Sequence, residues 1–206
     1  MEKVLITIGV LIGAYLLGSI PIGLLVVRVI TGEDIRTVGS GRTGGTNSLR
    51  AAGLLGAVLT ILGDAGKGWL AVWIAHALTA APTIEAVAGL LSVVGHNYSA
   101  FIGFSGGAGT MTTIGSAIGL WPWSGAVLVT IGGAMIGITH RASLGSIAVA
   151  LLTPVTFALR AWLAGGPWVY LIHGIGTAAL TLWALRPNIR RIREGQERRV
   201  RLRKTR

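Results

Sequence analysis

Long apolar runs with short polar breaks set the pattern of the chain. Residues 4–30 are apolar apart from Ser19 and Arg28, and residues 51–79 form a second run interrupted by Asp64 and Lys67. Both exceed the ~20 residues needed to cross hydrocarbon. A third run covers 84–101. A fourth, 111–139, carries Trp121, Pro122 and Trp123 near its middle. Tryptophan prefers the membrane interface and proline breaks a helix, so this run splits into two short helices with a turn at the outer surface. Residues 148–163 and 169–185 complete the set. The pattern predicts an all-α, polytopic integral membrane protein with about seven transmembrane helices. It forms a single transmembrane domain over residues 1–186, followed by a basic cytoplasmic tail over 187–206. Pro21, within GSIPIG, kinks the first run, and the absence of a small-residue cleavage pattern there predicts a retained helix, not a removed leader.

The polar breaks are where chemistry is expected. VGSGRTGGTNSLR, residues 38–50, places Gly39, Gly41, Gly44 and Gly45 among Ser40, Thr43, Thr46 and Asn47, with Arg36, Arg42 and Arg50 nearby. Glycines permit positive φ and close backbone approach, and guanidinium forks suit phosphate. The segment reads as an anion site or as a flexible basic loop. A second break, residues 101–113, combines Gly103, Gly106, Gly107 and Gly109 with Ser105 and Thr110 directly after His96 and Asn97. It reads either as an oxyanion cradle at a helix N-terminus or as a helix-packing glycine cluster. Without a lysine it is a poor nucleotide loop. Asp64 and Lys67, three positions apart, share a helix face, either towards a polar cavity or as a self-satisfied pair. His140 is read as a proton-transfer or phosphate-binding group, or as a solvated loop residue.

Composition narrows the class. Of 206 residues 52% are hydrophobic and 12% charged, with a mean hydropathy of +0.71. The lack of cysteine excludes disulfides and thiolate catalysis. The net charge of +11 is concentrated late: from 186 to 206, ten Lys or Arg stand against Glu194 and Glu197. A basic stretch directly after an apolar helix, without interleaved aromatics, points to anionic lipid and not to nucleic acid. Basic residues also mark 31–50 and 139–142, while the turns around 80–82, 121–123 and 165–168 lack them, Arg160 lying near the last. The bias predicts N-terminus out and C-terminus in, with both glycine-rich loops, Arg141 and Asn188 on the cytoplasmic face.

In their order, GSIPIG, DIRTVGSGRTGGTNSLR, GDAGKG, GHNYSAFIGFSGGAGT, SLGS and NIRRIREGQE resemble the acyl-phosphate:glycerol-3-phosphate acyltransferases of bacterial phospholipid synthesis, the PlsY family. The resemblance spans the chain. It implies an enzyme of the bacterial inner membrane, with its active site facing the cytoplasm, that moves a fatty acyl group from acyl phosphate to sn-glycerol 3-phosphate. Lysophosphatidic acid and phosphate are the products, and neither a cofactor, a metal, acyl-CoA nor an obligate protein partner is implied. It implies catalytic roles for Ser40, Asn47, Arg50 and Asn188, and substrate binding by Thr46, His96, Asn97, Gly106, Gly107 and Gly109, beside a structural Glu197. Arg42 and Arg141 are further expected phosphate ligands on charge and position.

The chain departs from the family where GSGN becomes a sequence with Arg42, where GFKGGKG loses both lysines to Ser105 and Ala108, and where Leu185 replaces a histidine. Arg42, with His140, is the expected replacement for the missing charge. The departures admit a second function, a non-catalytic relative that binds or senses lipid precursors or regulates an active paralogue. Broken helices with buried Asp64 and Lys67 also suit a transporter, although no internal repeat supports one.

Overall fold

The computed structural model describes residues 1–200; the end of the basic tail, 201–206, lies outside the described residues. The described chain is all-helical, built from α1 (Glu2–Ser19), α2 (Ile22–Thr31), α3 (Gly45–Thr79), α4 (Pro82–Asn97), α5 (Thr110–Leu120), α6 (Pro122–Thr139), α7 (Ala142–Ala164), α8 (Leu171–Ala184) and α9 (Arg186–Arg193). Four stretches are long and apolar enough to cross a membrane: Glu2–Thr31, Gly45–Thr79, Pro122–Thr139 and Ala142–Ala164. The pair Trp168–Ala184 and Arg186–Arg193, bent by 61°, makes a fifth if taken as one span. α4 and α5, at 16 and 11 residues, are shorter.

The breaks follow the backbone chemistry. Pro21 has no N–H to extend α1, and Pro122 opens α6 after an extended Trp121, as its place at the first helical turn requires. α3 begins earlier than the apolar pattern suggests. Residues 45–50, expected in the loop, already form its first turns, and the helix then breaks at Ala52 and Gly53, where Gly53 has φ 69°. A positive φ here is accessible because glycine lacks a Cβ. α7 likewise starts at Ala142, taking in the SLGS segment assigned to a loop.

The helices approach through small residues, as membrane packing favours. A Cβ on Gly18 would enter the Ser92 backbone of α4, and one on Gly115 would enter the Ala65 backbone of α3. Between them lies a core of Val72, Ile114, Leu120, Leu128, Val149, Phe157 and Tyr170. Large apolar side chains on the periphery, including Leu5, Leu55, Leu62 and Trp73, are exposed, which suits a lipid-facing belt.

Candidate functional site

At the end of the bundle where α3 begins and α9 ends, a cavity of about 560 Å³ opens. One part of its lining is apolar, built by Ile61, Met111, Ile114, Leu128, Val129, Ile136 and Val149. The other carries Ser40, Arg42, Thr46, Arg50, Ser143, Asn188, Arg191 and Arg198.

The first loop is shaped from within by Asn47, which is 2% exposed. Its Nδ2 donates to the carbonyls of Ile35 (3.1 Å), Val38 (2.9 Å) and Arg42 (2.9 Å), while its Oδ1 accepts from the Ser40 N–H at 3.2 Å. The amide is thereby spent on backbone. Asn47 borders the cavity with its side-chain amide engaged by the backbone of its own loop. Gly39 and Gly41 have φ 57° and 71°, whereas Gly44 is extended and Gly45 is helical. A Cβ on Gly39 would collide with the Asn47 amide, which accounts for glycine there. Ser40 is exposed at the rim and Arg50 sits on the first turns of α3. Arg36 belongs elsewhere: its guanidinium pairs with Asp34 at 2.6 Å. That hydrogen-bonded pairing holds the Asp34 carboxyl down at about 2.

Arg42 reaches across the cavity to the late part of the chain, donating to Asn188 Oδ1 at 3.1 Å and to the Ala184 carbonyl. Burial pulls its guanidinium below the ordinary value and Arg191 does the same, with Glu197 opposing. Glu197 gathers the remaining partners. Its Oε1 accepts from Ser143 Oγ at 2.7 Å and Asn188 Nδ2 at 2.9 Å, and its Oε2 pairs with Arg191 Nε at 3.1 Å. Burial pushes this carboxyl up, but the hydrogen bonds from Asn188, Ser143 and Arg191 outweigh it and hold it below the usual value. Glu197 thus ties α7, α9 and the segment after it into a knot. That segment folds back over the cavity, with the Val200 N–H bonded to the His140 carbonyl at 2.7 Å. Residues 187–200 therefore belong to the site and do not trail from it.

Beneath the second loop, His96 Nδ1 lies 3.3 Å from Asp64 Oδ1, and Lys67 Nζ lies 2.9 Å from the same oxygen. Asp64 and Lys67 form the ion pair, and of the two only Asp64 borders the cavity, together with His96. Lys67 turns away, donating to the Ile20 carbonyl at 2.8 Å, beside the break before Pro21. Gly106 and Gly107 do not border the cavity; they lie against the His96 carbonyl and imidazole, where a Cβ would overlap those atoms. Gly109, with φ 81°, does border it and directly precedes α5 as its N-terminal cap position. Asn97 is buried below this loop, its side-chain nitrogen and oxygen without a hydrogen-bond partner among the described residues.

Arg141 and His140 are not part of the cavity wall. His140 is exposed and terminates α6 in the left-handed conformation, so the compensating charge expected of it is not delivered. Arg191, Arg198 and Ser143 are the site residues that the charge pattern missed. Their signal lay in SLGS, quoted only for the resemblance, and in the basic run after Arg186, read as a lipid anchor.

A family model described as glycerol-3-phosphate acyltransferase matches residues 8–195. The chain belongs to this family. It is 41% identical to a glycerol-3-phosphate acyltransferase of Syntrophomonas wolfei, over 92% of this chain and 95% of that one. It is 38% identical to the same-named protein of Thioalkalivibrio sulfidiphilus, over 94% and 93%. Among solved structures it resembles PlsY (YgiH), an integral membrane glycerol 3-phosphate acyltransferase. The glycerol 3-phosphate form matches with a TM-score of 0.86 and 32% identity over 94% of each chain. The lysophosphatidic acid form matches with a TM-score of 0.83 and 30% identity. Family and relatives together support a membrane glycerol-3-phosphate acyltransferase.

Proposed function

We propose that the protein transfers a fatty acyl group from acyl phosphate to the 1-hydroxyl of sn-glycerol 3-phosphate, giving lysophosphatidic acid and inorganic phosphate. The observation that carries this reading is one cavity whose lining combines cations and hydroxyls with apolar side chains. An acyl phosphate needs both surfaces, and a second phosphate ester needs further cations. The relatives' solved forms with glycerol 3-phosphate and lysophosphatidic acid support the same acceptor and product here.

In the reaction the acceptor oxygen attacks the acyl carbonyl carbon, the carbonyl carbon to phosphate-oxygen bond breaks, and the hydroxyl proton leaves on inorganic phosphate. The donor is already activated, so the residues have chiefly to align two anions and stabilise developing charge. Ser40, Thr46 and Arg50 hold phosphate, and Asn188, set by Arg42 and Glu197, presents its amide to the reacting groups. Asn47 keeps the first loop open towards the cavity. His96 and Gly109 form the opposite wall, with Asn97, Gly106 and Gly107 supporting them from below. Arg141 acts outside the cavity wall as a basic group that draws anions to this end of the bundle.

The protein crosses the bacterial inner membrane about seven times, N-terminus out and C-terminus in, with α4 and α5 completing the crossings and the site on the cytoplasmic side. The arginines around the cavity support this orientation, as do exposed Trp123, Trp162 and Trp168 near the opposite turns. A second reading, a non-catalytic relative that binds lipid precursors, is favoured by Ala108, which borders the cavity uncharged where the family resemblance implies lysine.

The deciding experiment gives the purified protein in lipid palmitoyl phosphate and glycerol 3-phosphate, and follows phosphate release and acylated product, with Arg50→Ala beside it. Product from the parent and a drop of ~10²-fold or more in the variant are expected. Folded parent protein that binds glycerol 3-phosphate and makes no product would overturn the enzyme in favour of the second reading.

A further inference from the structure

The guanidinium groups around the cavity are not equivalent. Arg42 and Arg191 are committed to Asn188, the Ala184 carbonyl and Glu197. Arg50 and Arg198 border the same cavity, and among the described residues neither makes a side-chain hydrogen bond or ion pair. Both belong to the wall of one cavity, where their like charges oppose each other. Glu197 is also close to Arg50, but both its oxygens are already engaged by Ser143, Asn188 and Arg191. Glu197 offsets part of this repulsion, but its one charge is shared with Arg191, and a dianion placed between Arg50 and Arg198 would meet both of their charges.

The position of Arg198 is built. The residue before it is Glu197, pinned to α7 and α9, and two residues after it the Val200 N–H is tied to the His140 carbonyl. With both flanks fixed, the exposed Arg198 is held at the wall of the cavity.

We propose that Arg198 is a substrate-binding residue, which closes with Arg50 on the phosphate dianion of one of the two substrates, and that Glu197 is the positioning residue that holds it there. Guanidinium forks on two sides of a phosphate each offer paired N–H donors, and both charges are met by the dianion. The inference rests on the reading that phosphate esters occupy this cavity. The acceptor phosphate and the acyl phosphate share the recognised chemistry.

The test measures KM for glycerol 3-phosphate and for palmitoyl phosphate separately, in the parent and in Arg198→Ala, Arg198→Lys and Arg199→Ala. Arg199 is an exposed neighbour that does not border the cavity. Arg198→Ala is expected to raise one KM by about tenfold with kcat changed less than about threefold, Arg198→Lys to recover part of the loss, and Arg199→Ala to match the parent. A rise confined to glycerol 3-phosphate assigns the clamp to the acceptor, and one confined to palmitoyl phosphate assigns it to the donor. Unchanged values for both in Arg198→Ala, or equal rises in Arg199→Ala, overturn the proposal. If the parent shows no turnover, the proposed reaction fails by itself, and calorimetric titration with glycerol 3-phosphate and with inorganic phosphate decides the clamp. Weaker binding by Arg198→Ala supports it; equal binding, or none by the parent, overturns it.

Discussion

Replacing Arg42 by alanine removes the contact that joins the first loop to the late segment. In the parent, Nη1 donates to Asn188 Oδ1 at 3.1 Å, and Nη2 donates to the Ala184 carbonyl. Hydrogen bonds from a charged group contribute ~1.5–3 kcal/mol each, and the half-buried setting of Arg42 argues for the lower end. If Asn188 must be held for the reaction, a loss of ~1.5–3 kcal/mol at the transition state lowers kcat/KM by ~10- to 150-fold. The assay is the initial rate of phosphate release at varied glycerol 3-phosphate, with Arg42→Lys beside Arg42→Ala. Lysine keeps the charge but not the fork, so an intermediate rate is expected. A double-mutant cycle with Asn188→Ala isolates the contact, with an expected coupling of about 1 kcal/mol or more. Arg42→Ala with parental activity, or strictly additive effects with Asn188→Ala, would refute the view that Arg42 acts through Asn188 to make up for charge that this chain lacks at Ser105, Ala108 and Leu185.

Two further outcomes follow from the geometry. Gly107→Ala places a methyl group on the His96 imidazole; it should cut activity by about tenfold while the protein still extracts folded, and a rate equal to the parent would show that the loop yields freely. Glu197 has a carboxyl pKa held below its ordinary value, so its contribution is fully present above the unfolded value of ~4.3 and is lost as pH falls through the folded one. The melting temperature of the detergent-solubilised parent should therefore fall more steeply below about pH 4.5 than that of Glu197→Gln, and parallel curves would remove the linkage.

The breaks at Pro21, at Ala80 to Pro82 and at Trp121 to Pro122 were legible because they depend on local chemistry, a missing N–H or an interfacial indole. The Asp64 and Lys67 pair was legible for the same reason, three positions on one helix fixing its geometry. The gathering of Ser40, Thr46, Arg50, His96, Gly109 and Asn188 around one cavity followed from placing the loops at one end of the bundle. What escaped depends on distance along the chain. The Arg42 to Asn188 contact joins residues 146 positions apart, and no local pattern marks either partner. The backbone contacts of Asn47 escaped because an asparagine that hydrogen-bonds its own loop has the same sequence signal as one that meets a ligand. Arg191 and Arg198 were hidden in a basic run whose average charge speaks for lipid, while their individual positions are set by Glu197.

The wall of the cavity is drawn from Gly39 at one extreme to Arg198 at the other. During synthesis, a chain emerging from the ribosome can already have inserted its first helices while the knot around Glu197 has yet to be made. Throughout that interval the first loop stands without its late partners, and an immature molecule holds only part of the cavity wall. Competence thus arrives as one late event in biogenesis, coupled to the docking of α9 and the residues after it.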